Sequence, residues 1–542
     1  MIIVCADGRG KVDPMTASRQ EPASKSQWVP TSGLALRQIN WAITYRCNSR
    51  CMNCHLWNPA NGSKRSTLPE LSVDEYRRFY DSRMPDTVTD VAYGGGEPTI
   101  HDALEELIRL PPPRVRVSFS TNALMLERAL CAMEAVHSRG DGGVQVSIDG
   151  VGEVHDQMRG IKGSYEKAVR FLEAAQRRDI FRSVSFTINR LNAHTVWDTY
   201  CLARDHGAAF CARPAEPYVI YGMRSDEASL RFTPDDIELL RAMMLRINGD
   251  AYDRNVHIDY TSLAFRHLMP AYLSRIIKGP PCHAVSTACM IDPFGQVAAN
   301  CEHCPELLGS IRDQRLVDIW QNREALRLRE YAYGLRCRSC WNDCQVLENL
   351  YLEQNLVLTA VDELLLARQD RGRLPSVFDW SGSDDRRGLG CGWSGILPAP
   401  EGLGGFLCRY AKQKSHLFAC ARGDYFYLHA VCPGERIRPA CLSIAFFNLN
   451  DPWRPELKPE YSCCFEVAYN RWSTVIVPTP KTLKNKNVLL TIESSTEWKP
   501  HASSWPAGFL ASRLGFVSAI GGLKEWLMDN LRRSQRVIGR IA

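Results

Sequence analysis

The sequence contains no predominantly apolar, charge-free run of the ~18 residues that a membrane-spanning helix requires, so no helical span is expected. It has little excess charge of either sign. With 66 basic and 60 acidic residues the net charge is +6, too small over 542 residues to mark nucleic acid as a partner. Internal repeats and low-complexity tracts are absent, and 45% hydrophobic with 23% charged residues excludes a disordered or collagen-like chain. Residues 1–10 hold a short apolar stretch broken by Asp7 and Arg9, without the h-region or cleavage site of a secretory signal. Cysteine, 21 of 542 residues, falls well below the density of a small disulfide-stapled domain. A reduced, cytoplasmic protein is expected, with cysteines serving packing or metal, and the length predicts about three to four domains.

Residues 1–36 read as a poorly ordered leader with Pro14, Pro22 and Pro30. From residue 37 the pattern changes to β-prone runs at 39–46, 88–93, 115–120, 144–148, 184–188 and 208–213. Segments with helical spacing lie between them, at 73–79, 102–110, 124–136, 164–178 and 194–206. Such alternation predicts βαβ units and a parallel sheet, either doubly wound or an incomplete barrel, with ligands at the carboxyl ends of the strands. Residues 233–275 read as helical, with Thr233 as N-cap before Pro234. A cysteine-rich stretch spans 282–344, a helix is expected over 345–369, and 370–384 reads as a linker. Short β-prone runs then dominate to about residue 492, which predicts an all-β sandwich.

Cys47, Cys51 and Cys54 form C-x3-C-x2-C directly after the first predicted strand. Three thiolates on one short loop can hold three irons of a cubane cluster and leave the fourth open. Zinc is the alternative, but a structural zinc site wants four ligands, and His55 is too close to Cys54 to serve comfortably. Four motifs follow, each at a predicted strand end: Gly94-Gly95-Gly96-Glu97-Pro98, Ser120-Thr121-Asn122, Ser147-Ile148-Asp149-Gly150 and Thr187-Ile188-Asn189. The glycines let a ligand approach the backbone, and Glu97 offers a carboxylate to an amine.

These residues, in this order over about 37–220, resemble the radical S-adenosylmethionine (SAM) superfamily. The resemblance implies a partial (β/α)6 TIM-like barrel over 37–275 and a [4Fe-4S] cluster on Cys47, Cys51 and Cys54 that chelates SAM. It further implies that Gly95, Gly96 and Glu97 hold the methionine amine. Asn122, Ser147 and Asp149 would contact its carboxylate and ribose, Asn189 would join this cofactor site, and Arg159 would approach SAM. Asn53 departs from the pattern, since many members have an aromatic there.

Cys282 and Cys301 flank a predicted hairpin centred on Pro293-Phe294-Gly295, and Cys337-x2-Cys340-x3-Cys344 follows. Together they can assemble four thiolates around one cluster or one zinc. This segment, 276–369, resembles the auxiliary-cluster extension called SPASM, or its shorter twitch form. The spacing lacks part of the full SPASM pattern. The twitch form implies one auxiliary [4Fe-4S] cluster on Cys282, Cys301, Cys337 and Cys340, with Cys344, Cys304 and Cys289 as alternates. The remaining cysteines read as packing.

The β-region 385–522 opens on Asp385-Arg386-Arg387-Gly388-Leu389-Gly390-Cys391-Gly392-Trp393 and resembles domains attached to bacterial glycosyltransferases. The second copy of that pattern has Leu510 and Ser512 in place of its aspartate and arginine. Trp453, Trp472, Trp498 and Trp505 are candidates to stack on sugar rings, although aromatics in a sandwich are more often core. Residues 523–542 read as a basic amphipathic helix, with membrane-surface contact as the minority reading.

The resulting expectation is a radical SAM oxidoreductase that dehydrogenates or epimerises a carbohydrate or sugar-bearing metabolite, with an auxiliary cluster as electron acceptor. Arg213 and Glu216, at the end of the sixth strand, are the candidates to face a small-molecule or glycan substrate. The expected partner is a reductant such as flavodoxin or ferredoxin, with no nucleic acid. The alternative is a maturase that oxidises or crosslinks a peptide. A third class is a non-catalytic, metal-stabilised binding protein.

Overall fold

The computed structural model describes residues 3–5, 35–58, 68–216, 231–255, 259–301, 306–334, 336–337, 339–368, 374–380, 388–391, 393–398, 407–411, 414–433, 440–449, 459–467, 469–470, 472–495 and 509–518. Two compact units divide the chain: one takes residues 22–247 and 268–353, the other 1–21, 248–267 and 354–542. Residues 248–267 and 354–369 therefore group with the β-rich unit, where from sequence they fall to the barrel and the cysteine-rich extension.

The first unit is built on β1 (Gln38–Thr44), β2 (Asp90–Gly95), β3 (Arg116–Thr121), β4 (Gly142–Ser147), β5 (Phe181–Ile188) and β6 (Ala209–Pro214), parallel and in sequence order. Alternation within the strands explains the layering. In β3, Val117 and Phe119 face the helices while Ser118 and Ser120 face the interior; in β4, Val144 and Val146 alternate with Gln145 and Ser147. The helices between them present complementary stripes. Helix α1 (Leu126–His137) buries Ala129, Ala132, Met133 and Val136, and α2 (Ser164–Arg177) buries Ala168, Phe171, Leu172 and Ala175, both at i, i+3, i+4, i+7. Phe119 meets Phe171 edge-on at 6.2 Å across this layer.

The result is a partial TIM-like barrel with a cysteine-rich region joined to it. From sequence that region reads as a separate extension, but β7 (Ala288–Ile291) pairs in parallel with β1 and adds a strand to the barrel sheet. Strands β8 (Gln296–Ala299) and β9 (Leu307–Ser310) continue it antiparallel. The added strands cover the β1 edge, which would otherwise leave unpaired backbone groups. The expected hairpin is present: Asp292 Oδ1 accepts from Phe294 N (2.9 Å) and Gln296 N (2.8 Å) around Gly295.

In the second unit one sheet runs Ile3–Cys5, Ser473–Pro478, Tyr425–Val431, Phe509–Val517, Leu407–Ala411 and Trp393–Pro398, with Val377–Asp379 paired to Phe509–Val517. The other runs Lys414–Cys420, Asn487–Ser494, Ala440–Asn448 and Tyr461–Val467, all antiparallel. Phe426 of the first sheet meets Phe446 of the second at 5.5 Å, so the two inner faces share one core. Cys441 and Cys464, read as unpaired from sequence, form a disulfide with Cα atoms 6.5 Å apart. Sequence spacing could not show this, because the strand register that places Ser443 opposite Cys464 brings the two together. The proposed helix 523–542, and Trp453, Trp498 and Trp505, lie outside the described residues. Among the described residues no helix is long and apolar enough to cross a membrane.

Candidate active site

The loop after β1 carries Cys47, Cys51 and Cys54. It is pinned to the end of helix α3 (Glu153–Arg159) by Arg50 N to Arg159 O (3.0 Å) and Met52 N to Met158 O (3.0 Å). Burial pushes the Cys47 thiol up to about 12, and Cys51, Glu97 and Cys54 add to the rise, so the three thiols sit within electrostatic reach of one another. Polar groups surround the sulfurs. Ser49 Oγ lies 3.1 Å and Arg159 Nη1 3.5 Å from Cys51 Sγ, and Asn122 Nδ2 lies 4.0 Å from Cys47 Sγ. Hydrogen bonds to sulfur are what a thiolate-held cluster needs from its surroundings, so the residues fit such a group. Among the described residues no three His, Cys, Asp or Glu side chains gather tightly enough for one metal ion; a cluster spreads its thiolates over several irons.

The glycine motif lines the cavity and also lets the chain's own backbone pass closely. A Cβ on Gly95 (φ +112) would lie 2.4 Å from Thr44 O, and one on Gly96 would lie 2.2 Å from Arg46 O. The close approach is that of the chain's own backbone, which carries the cysteine loop. Glu97 is buried and accepts four hydrogen bonds: from Thr99 N (3.2 Å), Thr99 Oγ1 (2.7 Å) and Thr121 Oγ1 (2.7 Å) on Oε1, and from Asn122 N (2.7 Å) on Oε2. Burial raises its pKa, against the pull of those donors. A carboxylate oxygen has two lone pairs, so acceptor capacity for an amine is left on Oε2. Thr99 is a partner that sequence reasoning missed, and Thr121, though part of a strand-end motif, was not marked as a partner of Glu97.

Ser147 ends β4 on the interior wall. Asp149 is buried, accepts from Thr187 N (2.8 Å) and pairs with Arg159 Nη2 at 2.9 Å. The Arg159 guanidinium is buried, which alone would lower its pKa, yet Asp149 and Cys51 hold it raised. Asp149 thus ties β4 to α3 and to the cysteine loop. Asp149→Ala would leave that guanidinium buried without its carboxylate, and a loss of about 3–5 kcal/mol is expected. Denaturant unfolding of the iron-free protein checks this, and an unchanged midpoint would refute it.

Asn189 is placed away from the role expected of it. Fully buried, it accepts from Leu191 N (2.7 Å) and donates to Asn53 Oδ1 (2.8 Å). It holds Asn53, the residue that departs from the family pattern, and is not on the cavity wall.

The second cysteine group also converges. Burial pushes the Cys282 thiol up to about 11, with Cys301 and Cys337 adding to it. The Cys340 thiol is raised by burial, then by Glu216, Cys282 and Cys301. Cys289 is a correction: it is fully buried in the barrel core with Ile39 and Val297, because its position on β7 faces the helices while Met290 faces the interior. Cys304 lies outside the described residues, and Cys344 is exposed on the interior wall. Arg213 and Glu216 line the same wall, but their charged ends are engaged, Arg213 Nη1 with Asp343 Oδ1 (2.9 Å) and Glu216 Oε1 with Trp341 N (2.8 Å). One cavity of about 830 Å³ joins these groups, walled by Cys47, Cys51 and Cys54 on one side and by Cys301 and Cys344 on another.

Comparison with known proteins places the chain in a family. A model of the radical SAM superfamily matches residues 41–200, and a model of the SPASM iron–sulfur cluster-binding domain matches 282–341. The chain is 30% identical over 316 residues to the mycofactocin maturase MftC of Mycobacterium ulcerans, covering 56% of this chain and 79% of that protein. It is 26% identical over 311 residues to the AdoMet-dependent heme synthase of Methanosarcina barkeri, covering 54% and 84%. The solved structure of Streptococcus suis SuiB bound to S-adenosylmethionine superposes with a TM-score of 0.43 at 12% identity, covering 55% and 68%. The chain belongs to the radical SAM superfamily and carries an SPASM domain. Its cofactors are accordingly a [4Fe-4S] cluster with SAM, and auxiliary iron–sulfur.

Proposed function

We propose that this protein is a maturase that oxidises or crosslinks a peptide. The observation that carries the reading is a cavity lined by Cys47, Cys51 and Cys54 and, from the second group, by Cys301 and Cys344, which would set a substrate between them. The mycofactocin maturase likeness, over most of that relative's length, supports a peptide as the substrate. The carbohydrate expected from sequence gives way to it. Leu389 and Trp393 of the glycosyltransferase-like motif are buried in the sandwich core, and Trp472 stacks on His429 at 5.1 Å.

Cys47, Cys51 and Cys54 would hold the SAM-binding cluster, and Cys282, Cys301, Cys337 and Cys340 one auxiliary cluster. When bound, these groups would supply reductive cleavage of SAM and abstraction of a hydrogen atom from substrate, with auxiliary iron–sulfur to accept the electron left behind. The chain's own contribution is placement. Glu97, cross-linked to Thr99, Thr121 and Asn122, would present Oε2 to the methionine amine. Asn122 and Ser147 would contact SAM from the strand ends, and Arg159 would steady Cys51. Small polar side chains such as Ser118, Ser120 and Ser183 leave room for substrate above the barrel floor.

The test is anaerobic incubation of the reconstituted, reduced protein with SAM and short peptides encoded beside its gene. The expected result is 5′-deoxyadenosine in step with peptide that has lost two hydrogens. Turnover with nucleotide sugars or a porphyrin, and none with any peptide, would overturn the reading.

A further inference from the structure

Glu216 lies two residues beyond β6 and is 9% exposed. It was a candidate to act on substrate, yet its hydrogen bonds run to the auxiliary cysteine segment. Oε1 accepts from the backbone N–H of Trp341, the residue after Cys340, at 2.8 Å. Tyr272 stacks on the fully buried ring of Trp341 at 5.1 Å and its hydroxyl donates to Ser339 O at 3.4 Å, which fixes the same turn from its other side. A backbone N–H is the kind of partner an acceptor-only carboxylate requires.

The rest of the segment is tied down separately. Arg213 pairs with Asp343 at 2.9 Å, so that cation is compensated where it stands. Gly279 N donates to Ser339 Oγ at 2.7 Å. Among these ties Glu216 brings a negative charge to the backbone of a cysteine.

We propose that Glu216 is a positioning residue that sets the potential of the auxiliary cluster: its carboxylate fixes the Cys340–Trp341 backbone and places a negative charge beside the thiolates, holding that cluster harder to reduce. Cluster potentials follow net charge and hydrogen bonding around the sulfurs, and in a poorly solvated site one fixed charge acts strongly. The inference rests on the auxiliary cluster being held by Cys282, Cys301, Cys337 and Cys340.

The experiment is an EPR-monitored redox titration of the anaerobically reconstituted holoenzyme and its Glu216→Gln variant, with iron and sulfide counted in each. Glutamine keeps an acceptor for Trp341 N and removes the charge. The expected result is unchanged iron, an unmoved SAM-cluster potential, and at least a tenfold shift of the auxiliary one-electron equilibrium toward reduction, about 59 mV. A full iron count with an unmoved auxiliary potential overturns the proposal, and loss of product in that same variant would return Glu216 to the substrate. If Glu216→Gln fails to retain iron, Glu216→Asp decides, because it keeps the charge and draws it one methylene back from the Cys340–Trp341 backbone. An upward shift of the auxiliary potential there supports the proposal, and no shift or a downward one overturns it. A wild-type protein without a second cluster signal removes the auxiliary-cluster assignment itself, and this proposal with it.

Discussion

Cys51→Ala is expected to reduce 5′-deoxyadenosine formation to the level of protein-free controls. Cys51 is the thiol around which the loop is organised, with Ser49 Oγ at 3.1 Å and Arg159 Nη1 at 3.5 Å. The one Ser49 hydroxyl proton goes to Arg159 O at 3.0 Å, so Oγ accepts from the Cys51 thiol, and the same contacts fasten the loop to α3. Without that sulfur one iron lacks its ligand, and cluster formation rather than a single catalytic step is lost. Ser49→Ala removes the hydroxyl that lies beside the sulfur and ties the loop to Arg159 O, and keeps the ligand, so a loss of roughly 10–100-fold is expected, as for outer partners of metal ligands generally. Iron analysis and quantification of 5′-deoxyadenosine under dithionite check both. A Cys51→Ala protein that still cleaves SAM would remove the three-cysteine assignment.

Gly96→Ala carries the other large effect. Its Cβ would lie 2.2 Å from Arg46 O, 2.7 Å from Arg46 C and 2.8 Å from Tyr45 C, all backbone atoms that cannot rotate away. Relief requires parting the glycine motif from the start of the cysteine loop. That would break Gly96 N to Thr44 O (2.8 Å) and Glu97 N to Arg46 O (2.9 Å). Two buried backbone bonds left unmade cost about 1–3 kcal/mol each, so a loss of about 2–6 kcal/mol is expected, together with impaired cluster retention. Gly94→Ala is the control. Its Cβ would meet Ser120 Oγ at 3.4 Å, an ordinary contact, and a change within about 1 kcal/mol is expected. Unfolding midpoints of the iron-free proteins and iron content after reconstitution decide, and wild-type values for Gly96→Ala would sink the argument.

Much of the barrel was legible because its strands carry two messages in one alternation. Val117-Ser118-Phe119-Ser120 and Val144-Gln145-Val146-Ser147 specify extended chain by period, and by composition which side packs helices. The six parallel strands form where β-prone runs predict them. Cys289 was not legible in the same way: its spacing alone resembles a spare ligand, and only its register on β7 turns it into the core. The same holds for Asn189, whose polar end marks it as a contact until Leu191 and Asn53 take up its amide.

By itself the sequence determined the class of chemistry. Three cysteines on a short loop, followed by polar strand ends in order, are local features whose meaning survives without a partner in space. Tertiary structure decided the division of labour among them. The glycines let the chain's own backbone pass closely as well as lining the cavity, Glu97 is held by Thr121 and Asp149 by Arg159, and Arg213 and Glu216 are tied to the segment after Cys340. The physical reason is that a buried polar group must find its hydrogen bonds. Thr121, Asp343 and Trp341 supply them from elements that stand 24, 130 and 125 residues away along the chain.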